Sequence, residues 1–217
     1  MEKFELELLD PLFYNSSLDS GAAGSNTTEP WIGDLALDYS INFALGLKKT
    51  KFQYTSHKPN YSEIKNFGFI TSIGYPETRI KKTRIYDFAT SFISDGYVNA
   101  GIMKKGKRAP FRNWIKRQGL EPGNKFYFYT FYNNDNIELP DSFTIRLGNM
   151  KSCLCSCHKI PVPEHDKLWM NLYTTNLINE IEPNSFDKSF IYYFSDRYII
   201  KTGETPQHWK SILKEYW

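Results

Sequence analysis

The chain has little cysteine: three residues in 217, all between Cys153 and Cys157. That is too few and too clustered for the disulfide framework of a secreted domain. Long apolar runs are missing as well. No window approaches the roughly 18 consecutive apolar residues of a membrane span, and Lys3, Glu5 and Glu7 break up the start where a signal peptide would need an apolar stretch. The expectation is a cytoplasmic protein with no membrane contact. A Walker-type phosphate loop, a Ser/His/Asp signature and an internal repeat are all missing, which sets aside P-loop hydrolysis, serine-hydrolase chemistry and solenoid folds. No cofactor is implied.

Net charge is also low, +3 for the whole chain, but it is unevenly placed. Between Arg79 and Arg117 eleven basic residues stand against Asp87 and Asp95, a local balance of +9 that leaves −6 for the rest. The basic residues fall in two groups: Arg79, Lys81, Lys82 and Arg84, then Lys104, Lys105, Lys107, Arg108, Arg112, Lys116 and Arg117. Such an imbalance suggests a polyanion-binding surface on one side, against the plainer reading of two solvated loops. Aromatic residues make up 17% of the chain, which suits either a rich core or a surface that stacks on bases.

The periodicity of the apolar residues predicts the main elements. Phe4, Leu6 and Leu8 alternate with Glu5 and Glu7 in a half-buried strand that Pro11 ends. Asn15 to Thr28 is small and polar and reads as a mobile loop. A helix is expected to start at Thr28 and Pro30, with Asp34 in or near its first turn, and to end at Gly46. Ile32, Leu35, Ala36, Tyr39 and Phe43 form its inner stripe, widened by Leu37, Ile41, Ala44 and Leu45. Ile85, Phe88, Ala89 and Phe92 fit helical spacing over a run too short to exclude a strand. Glu121 to Asn124 is a turn that launches Lys125 to Tyr132, a strand too apolar on both faces for an edge. Later, Phe143, Ile145 and Leu147 face inward and Arg146 outward. Ser189 to Lys201 reads as two short strands around Ser195-Asp196-Arg197. The last segment is a helix capped by Thr205 and Pro206, with Trp209, Ile212, Leu213 and Tyr216 on one side, docking on the chain's own core. The simplest architecture is one α+β domain over 1–217 with large insertions.

Ordered sequence blocks then carry a resemblance. Leu9 to Phe13 is followed by Glu29 to Tyr39; after Arg117 come Leu120 to Tyr129 and Leu139 to Ser152. In order and spacing these resemble the small RAMP subunit of type I-D CRISPR effector complexes (Cascade) of the cyanobacterial type. The resemblance implies a modified ferredoxin-like, RRM-related fold with insertions. It also implies a non-catalytic role in an antiviral ribonucleoprotein complex. Such a subunit binds the 5′ handle of the guide RNA (crRNA) and contacts the large subunit and the first backbone subunit, supporting target DNA binding near the adjacent motif. Related small subunits project a thumb-like insertion over the guide, placed here in the basic region at about 96–119.

The candidate RNA-binding residues follow from charge, aromatics and that resemblance. Lys104, Lys105, Lys107, Arg108 and Arg112 have the composition of a phosphate-gripping loop, with Phe111 and Trp114 as stacking rings and Arg117 at its end. Arg146, Gly148 and Lys151 form a second candidate, a glycine after a strand flanked by positive charge. Cys153, Cys155, Cys157 and His158 suggest zinc, but paired structural ligands usually have two to four residues between them. Cysteine at every second position instead fits one buried strand face, so no metal is expected. The competing function is a metal-independent endoribonuclease of the CRISPR repeat RNA, for which His57, Lys58 and Tyr54 are the best local group. A third reading is an interaction protein that shares the block order by chance, and fold alone does not choose among them.

Overall fold

Phe4, Leu6 and Leu8 of the first strand, β1 (Glu2–Leu8), are buried while Glu5 and Glu7 are partly exposed, as alternation requires. The computed structural model describes residues 1–14, 25–48, 61–90, 113–133, 137–148, 152–163, 165–179 and 190–216. After β1 come β2 (Ser25–Thr27), α1 (Asp34–Leu45), a 3-10 turn (Ser62–Asn66), β3 (Phe69–Thr71), β4 (Tyr86–Thr90) and β5 (Asn113–Gln118). They are followed by β6 (Lys125–Tyr132), β7 (Ser142–Leu147), β8 (Cys153–Ile160), β9 (Leu168–Asn171) and α2 (Leu172–Asn179). The chain closes with β10 (Ile191–Ser195), β11 (Tyr198–Glu204) and α3 (Pro206–Tyr216).

The main sheet is antiparallel in the order β3-β6-β1-β8-β7. β1 sits at its centre, with Phe4 opposite Phe128 on β6 and Leu6 opposite Cys157 on β8. Phe4, Phe128 and Phe143 interlock on the core face, with ring centroids 5.5 Å and 5.4 Å apart. Each such fully buried ring contributes about 2–3 kcal/mol of transfer free energy. α1 packs on this face against β3 and β7. A second antiparallel sheet, β10-β11-β9, carries α2, and α3 docks through Trp209 and Leu213, both buried. The third sheet is a ribbon in the order β2-β5-β4, with β4 antiparallel and β2 parallel to β5.

The mixed α+β class, the central position of β6, the β10–β11 hairpin and the capped last helix agree with the sequence reading; the Thr205 Oγ1 accepts the His208 N–H at 3.3 Å. Other expectations are corrected. α1 starts at Asp34 rather than near Thr28, because Ile32 commits its backbone to a bridge with Gly74. Its buried face includes Asp34, Asp38 and Asn42, while Phe43 and Ala44 of the expected stripe are exposed. Each of those polar side chains makes at least one hydrogen bond, although Asp38 Oδ2 is buried without a partner among the described residues. Asn171 Nδ2 donates to Asp34 Oδ1 at 2.9 Å and Thr174 Oγ1 donates to Oδ2; the Thr71 N–H reaches Asp38 at 2.8 Å. Asn42 exchanges two 2.9 Å bonds with the Lys48 backbone. The 86–90 stretch, left open between helix and strand, is strand, since β5 supplies its ladder partner. Within the loop expected at 15–28, residues 25–27 are β2, paired with β5.

Candidate nucleic-acid interface

The two basic segments expected to bind RNA are far apart in sequence, and the fold draws their described ends to one place. Leu12 and Phe13, just after β1, form a short strap. Leu12 pairs with Leu120 through two backbone bonds of 2.9 and 3.0 Å, and its carbonyl accepts the Thr28 hydroxyl at 3.4 Å. Gly119, at the foot of β5, lies against this strap: a Cβ there would meet the Leu12 carbonyl oxygen at 2.6 Å and the Phe13 ring at 2.8 Å. Gly148, at the end of β7, lies against it too. Its φ of +82° suits glycine, and a Cβ would meet Leu12 Cδ1 at 2.9 Å and the Phe13 carbonyl at 3.0 Å. The close approach anticipated for Gly148 is therefore made to the chain's own backbone.

Arg117 sits on β5 opposite Tyr86 and beside Asn26, and is half-buried. Trp114 is on the same strand opposite Ala89. Arg146 is exposed on β7, where its carbonyl accepts the Ser40 hydroxyl at 3.0 Å, tying the strand to α1. Lys104, Lys105, Lys107, Arg108, Phe111, Arg112 and Lys151 lie outside the described residues, as do His57, Lys58 and Tyr54 of the ribonuclease group. Of the expected thumb at 96–119, residues 113–118 are β5, the middle strand of the ribbon, and 96–112 lie outside the described residues. Sequence reasoning missed the strap. Leu12 and Phe13 look like ordinary apolar residues, and nothing local marks them as a meeting point.

The other chemical groups are engaged within the fold. Cys153, Cys155 and Cys157 are buried on the core face of β8, whereas His158 is exposed on the opposite face with Nδ1 3.1 Å from the Ser142 hydroxyl, so the four donors do not converge. Burial pushes the Cys157 thiol up. Among the described residues no group of three or more acidic, cysteine or histidine side chains is arranged to hold a metal. On the outer face of the sheet, Lys3 is buried against Asp166 at 2.5 Å and Glu77 at 3.2 Å, with the Tyr129 hydroxyl donating to the same Asp166 oxygen. Burial works to raise the Asp166 carboxyl, but the Lys3 and Tyr129 hydrogen bonds together hold it below the usual carboxylate range.

A family model for the type I-D CRISPR-associated protein Cas5/Csc1 matches residues 1–192. The chain belongs to this family. It is thus a RAMP-type subunit of the type I-D Cascade. The matched span holds the strap, the ribbon and the β7–β8 hairpin, and ends within β10, so β11 and α3 lie beyond it. A search of the curated proteins finds no match. No helix among the described residues is long and apolar enough to cross a membrane.

Proposed function

We propose that this Cas5/Csc1 family member is a non-catalytic subunit that grips the 5′ handle of the crRNA between the ribbon and the β7 end. The observation that carries the proposal is the convergence of Gly119 and Gly148 on the Leu12–Phe13 strap. It brings the root of the 104–117 basic segment and the end of β7 to one strap, which supports one polyanion reaching both. The crossover from β1 through α1 to β3, with β6 between those strands and β8 on the far side of β1, supports a ferredoxin-derived core within a single domain of 217 residues. In this reading β8 arrives through the β7 hairpin in place of a second crossover helix. Exposed Phe190, Tyr192, Tyr193 and Phe194 along β10 support protein contacts with the large and backbone subunits.

The test is a reconstituted effector complex carrying Lys104→Ala, Lys105→Ala, Lys107→Ala and Arg108→Ala together. Guide retention is expected to weaken and its salt dependence to flatten. An unchanged salt slope sinks the assignment. Incubating the isolated protein with repeat RNA in the absence of metal is expected to leave the RNA intact, and site-specific cleavage would favour the ribonuclease reading instead.

A further inference from the structure

Several cations of the main and second sheets are paired within the fold, whereas those at the foot of the ribbon pair with no described acidic residue. Lys125 pairs with Glu5 at 2.7 Å, Lys159 with Glu2 at 2.5 Å and Lys201 with Glu204 at 3.3 Å. Arg79, Lys81, Lys82 and Arg84 are all exposed, and none of them forms an ion pair with a described acidic residue. Even Glu121, cross-strand from Lys81, is bound to it only through the backbone, at 3.0 Å.

The backbone that carries these charges is fixed. The Asn124 side chain grips Lys81 from both sides, accepting its N–H and donating to its carbonyl, each at 2.8 Å, and donates to the Glu121 carbonyl at 2.7 Å. Lys82 bridges to Leu120, and Thr83 is tied to Gly119 by two bonds of 3.0 Å. Residues 81–83 therefore run antiparallel to 119–121 beyond the β4–β5 ladder, with a one-residue shift in register between the Tyr86–Arg117 pair and the Lys82–Leu120 bridge. Exposed Lys82 and Arg84 flank buried Thr83, and residues two apart in extended backbone stand about 6.6 Å apart, on the scale of successive phosphates in an extended strand. Beyond them the Arg84 guanidinium lies over the Tyr86 ring, 4.9 Å from its centroid, and Tyr86 meets the Phe13 ring edge-on at 5.9 Å. A row of fixed, unmatched cations thus leads to an aromatic stack on the strap.

We infer that Arg79, Lys81, Lys82 and Arg84 form a phosphate rail for single-stranded RNA, and that the Arg84–Tyr86 stack at its end supports an unpaired base. This deepens the guide-binding reading and rests on it. The rail is separate in sequence from the 104–117 and 146–151 segments. Its ligand is recognised as a flexible polyanion with exposed base faces, which a duplex does not offer at this spacing.

The experiment uses the full chain and a fluorescein-labelled, repeat-derived single-stranded RNA, titrated at several salt concentrations. A rail variant (Arg79→Ala, Lys81→Ala, Lys82→Ala, Arg84→Ala) is compared with the 104–108 loop variant described above. The rail variant is expected to reduce the salt slope by about 2–3, at roughly 0.7 per phosphate released from a single strand. Arg84→Lys keeps the charge but loses the planar stack; it is expected to keep the slope and weaken binding about tenfold. A rail variant with the parent slope, beside a loop variant whose slope falls, overturns the rail and leaves guide binding standing. Parent slopes in both variants overturn the two together. Loss of duplex DNA binding with the RNA slope unchanged also overturns the rail. Lys82→Ala with Arg84→Ala serves if the fourfold variant fails to melt cooperatively.

Discussion

Gly119 and Gly148 press on opposite flanks of a single two-residue strap, Leu12–Phe13. At Gly119 the obstacle is backbone, so an added methyl forces the strand or the strap to move. Gly119→Ala is expected to destabilise the fold by about 1–3 kcal/mol. Gly148→Ala adds a positive φ that an alanine adopts only at a further cost of about 1–2 kcal/mol. Urea denaturation measures both. Each variant should also weaken RNA binding while leaving its salt slope intact, because geometry changes and charge does not.

The buried carboxyls of α1 make stability depend on pH in an uncommon direction. Burial pushes the Asp34 carboxyl up to about 6, against hydrogen bonds from Thr174 and Asn171. Burial, then the proximity of Asp34, pushes Asp38 well above its ordinary value. Tyr61, Tyr173, Tyr198 and Arg197 are the other titratable or charged groups in the surroundings of Asp34. A raised acid pKa means that the folded state keeps protons the unfolded chain has released. The contribution is complete below the unfolded value of 3.8 and declines as pH rises through about 6 for Asp34. Asp38→Asn keeps an acceptor for the Thr71 N–H and removes the ionisation. Its melting temperature should match the parent near about pH 4 and exceed it by several degrees near about pH 8. Equal melting temperatures at both pH values would refute this.

Lys3 and Asp166 should behave in the opposite sense. The folded pKa of Asp166 is depressed, so its contribution is present above the unfolded value of 3.8 and is lost as pH falls through the folded value. Lys3→Met leaves Asp166 and Glu77 without their buried cation and is expected to cost about 3–5 kcal/mol at neutral pH. It should also flatten the acid limb of the stability profile. A double-mutant cycle with Asp166→Asn isolates the pair, and a coupling energy near zero would rule it out as a stabilising contact.

The three cysteines should be inert in the folded protein. Cys153, Cys155 and Cys157 are buried as free thiols, and thiolate is the reactive form. Titration with a thiol-reactive disulfide reagent is expected to modify none of them until denaturant unfolds the sheet, after which three react. Rapid labelling of the native chain would contradict the packing described. Elemental analysis showing one equivalent of zinc would overturn the reading of Cys153–His158 as a strand.

What could be read from the sequence depended on how local the cause was. β1 and β7 were legible because alternation is set by neighbours two residues away, and β6 because an aromatic run apolar on both faces fits only an interior strand. The burial of Asp34, Asp38 and Asn42 was not, since the hydrogen-bond partners of the two aspartates are Thr71, Asn171 and Thr174, distant in the chain. Phe43, an apparent core residue, is 66% exposed for the same reason: the buried side of α1 was decided by polar partners that no helical period reveals. At the candidate interface the charge imbalance was visible at once. The strap was not, because its significance lies in two registers, Lys82 with Leu120 and Leu12 with Leu120, that only the folded chain displays.

Placing β1 at the centre of the main sheet has a consequence for synthesis. Its two neighbours begin at Lys125 and end at Ile160, so β1 is made long before either strand that encloses it. At roughly 5–20 residues per second, it waits on the order of ten seconds for its first partner to leave the ribosome. During that interval both of its edges are open to pairing with another chain, a hazard that charged side chains reduce. Glu5 and Glu7, which later stripe the outer face of the finished sheet, are already in place to discourage that mispairing while the nascent chain is incomplete.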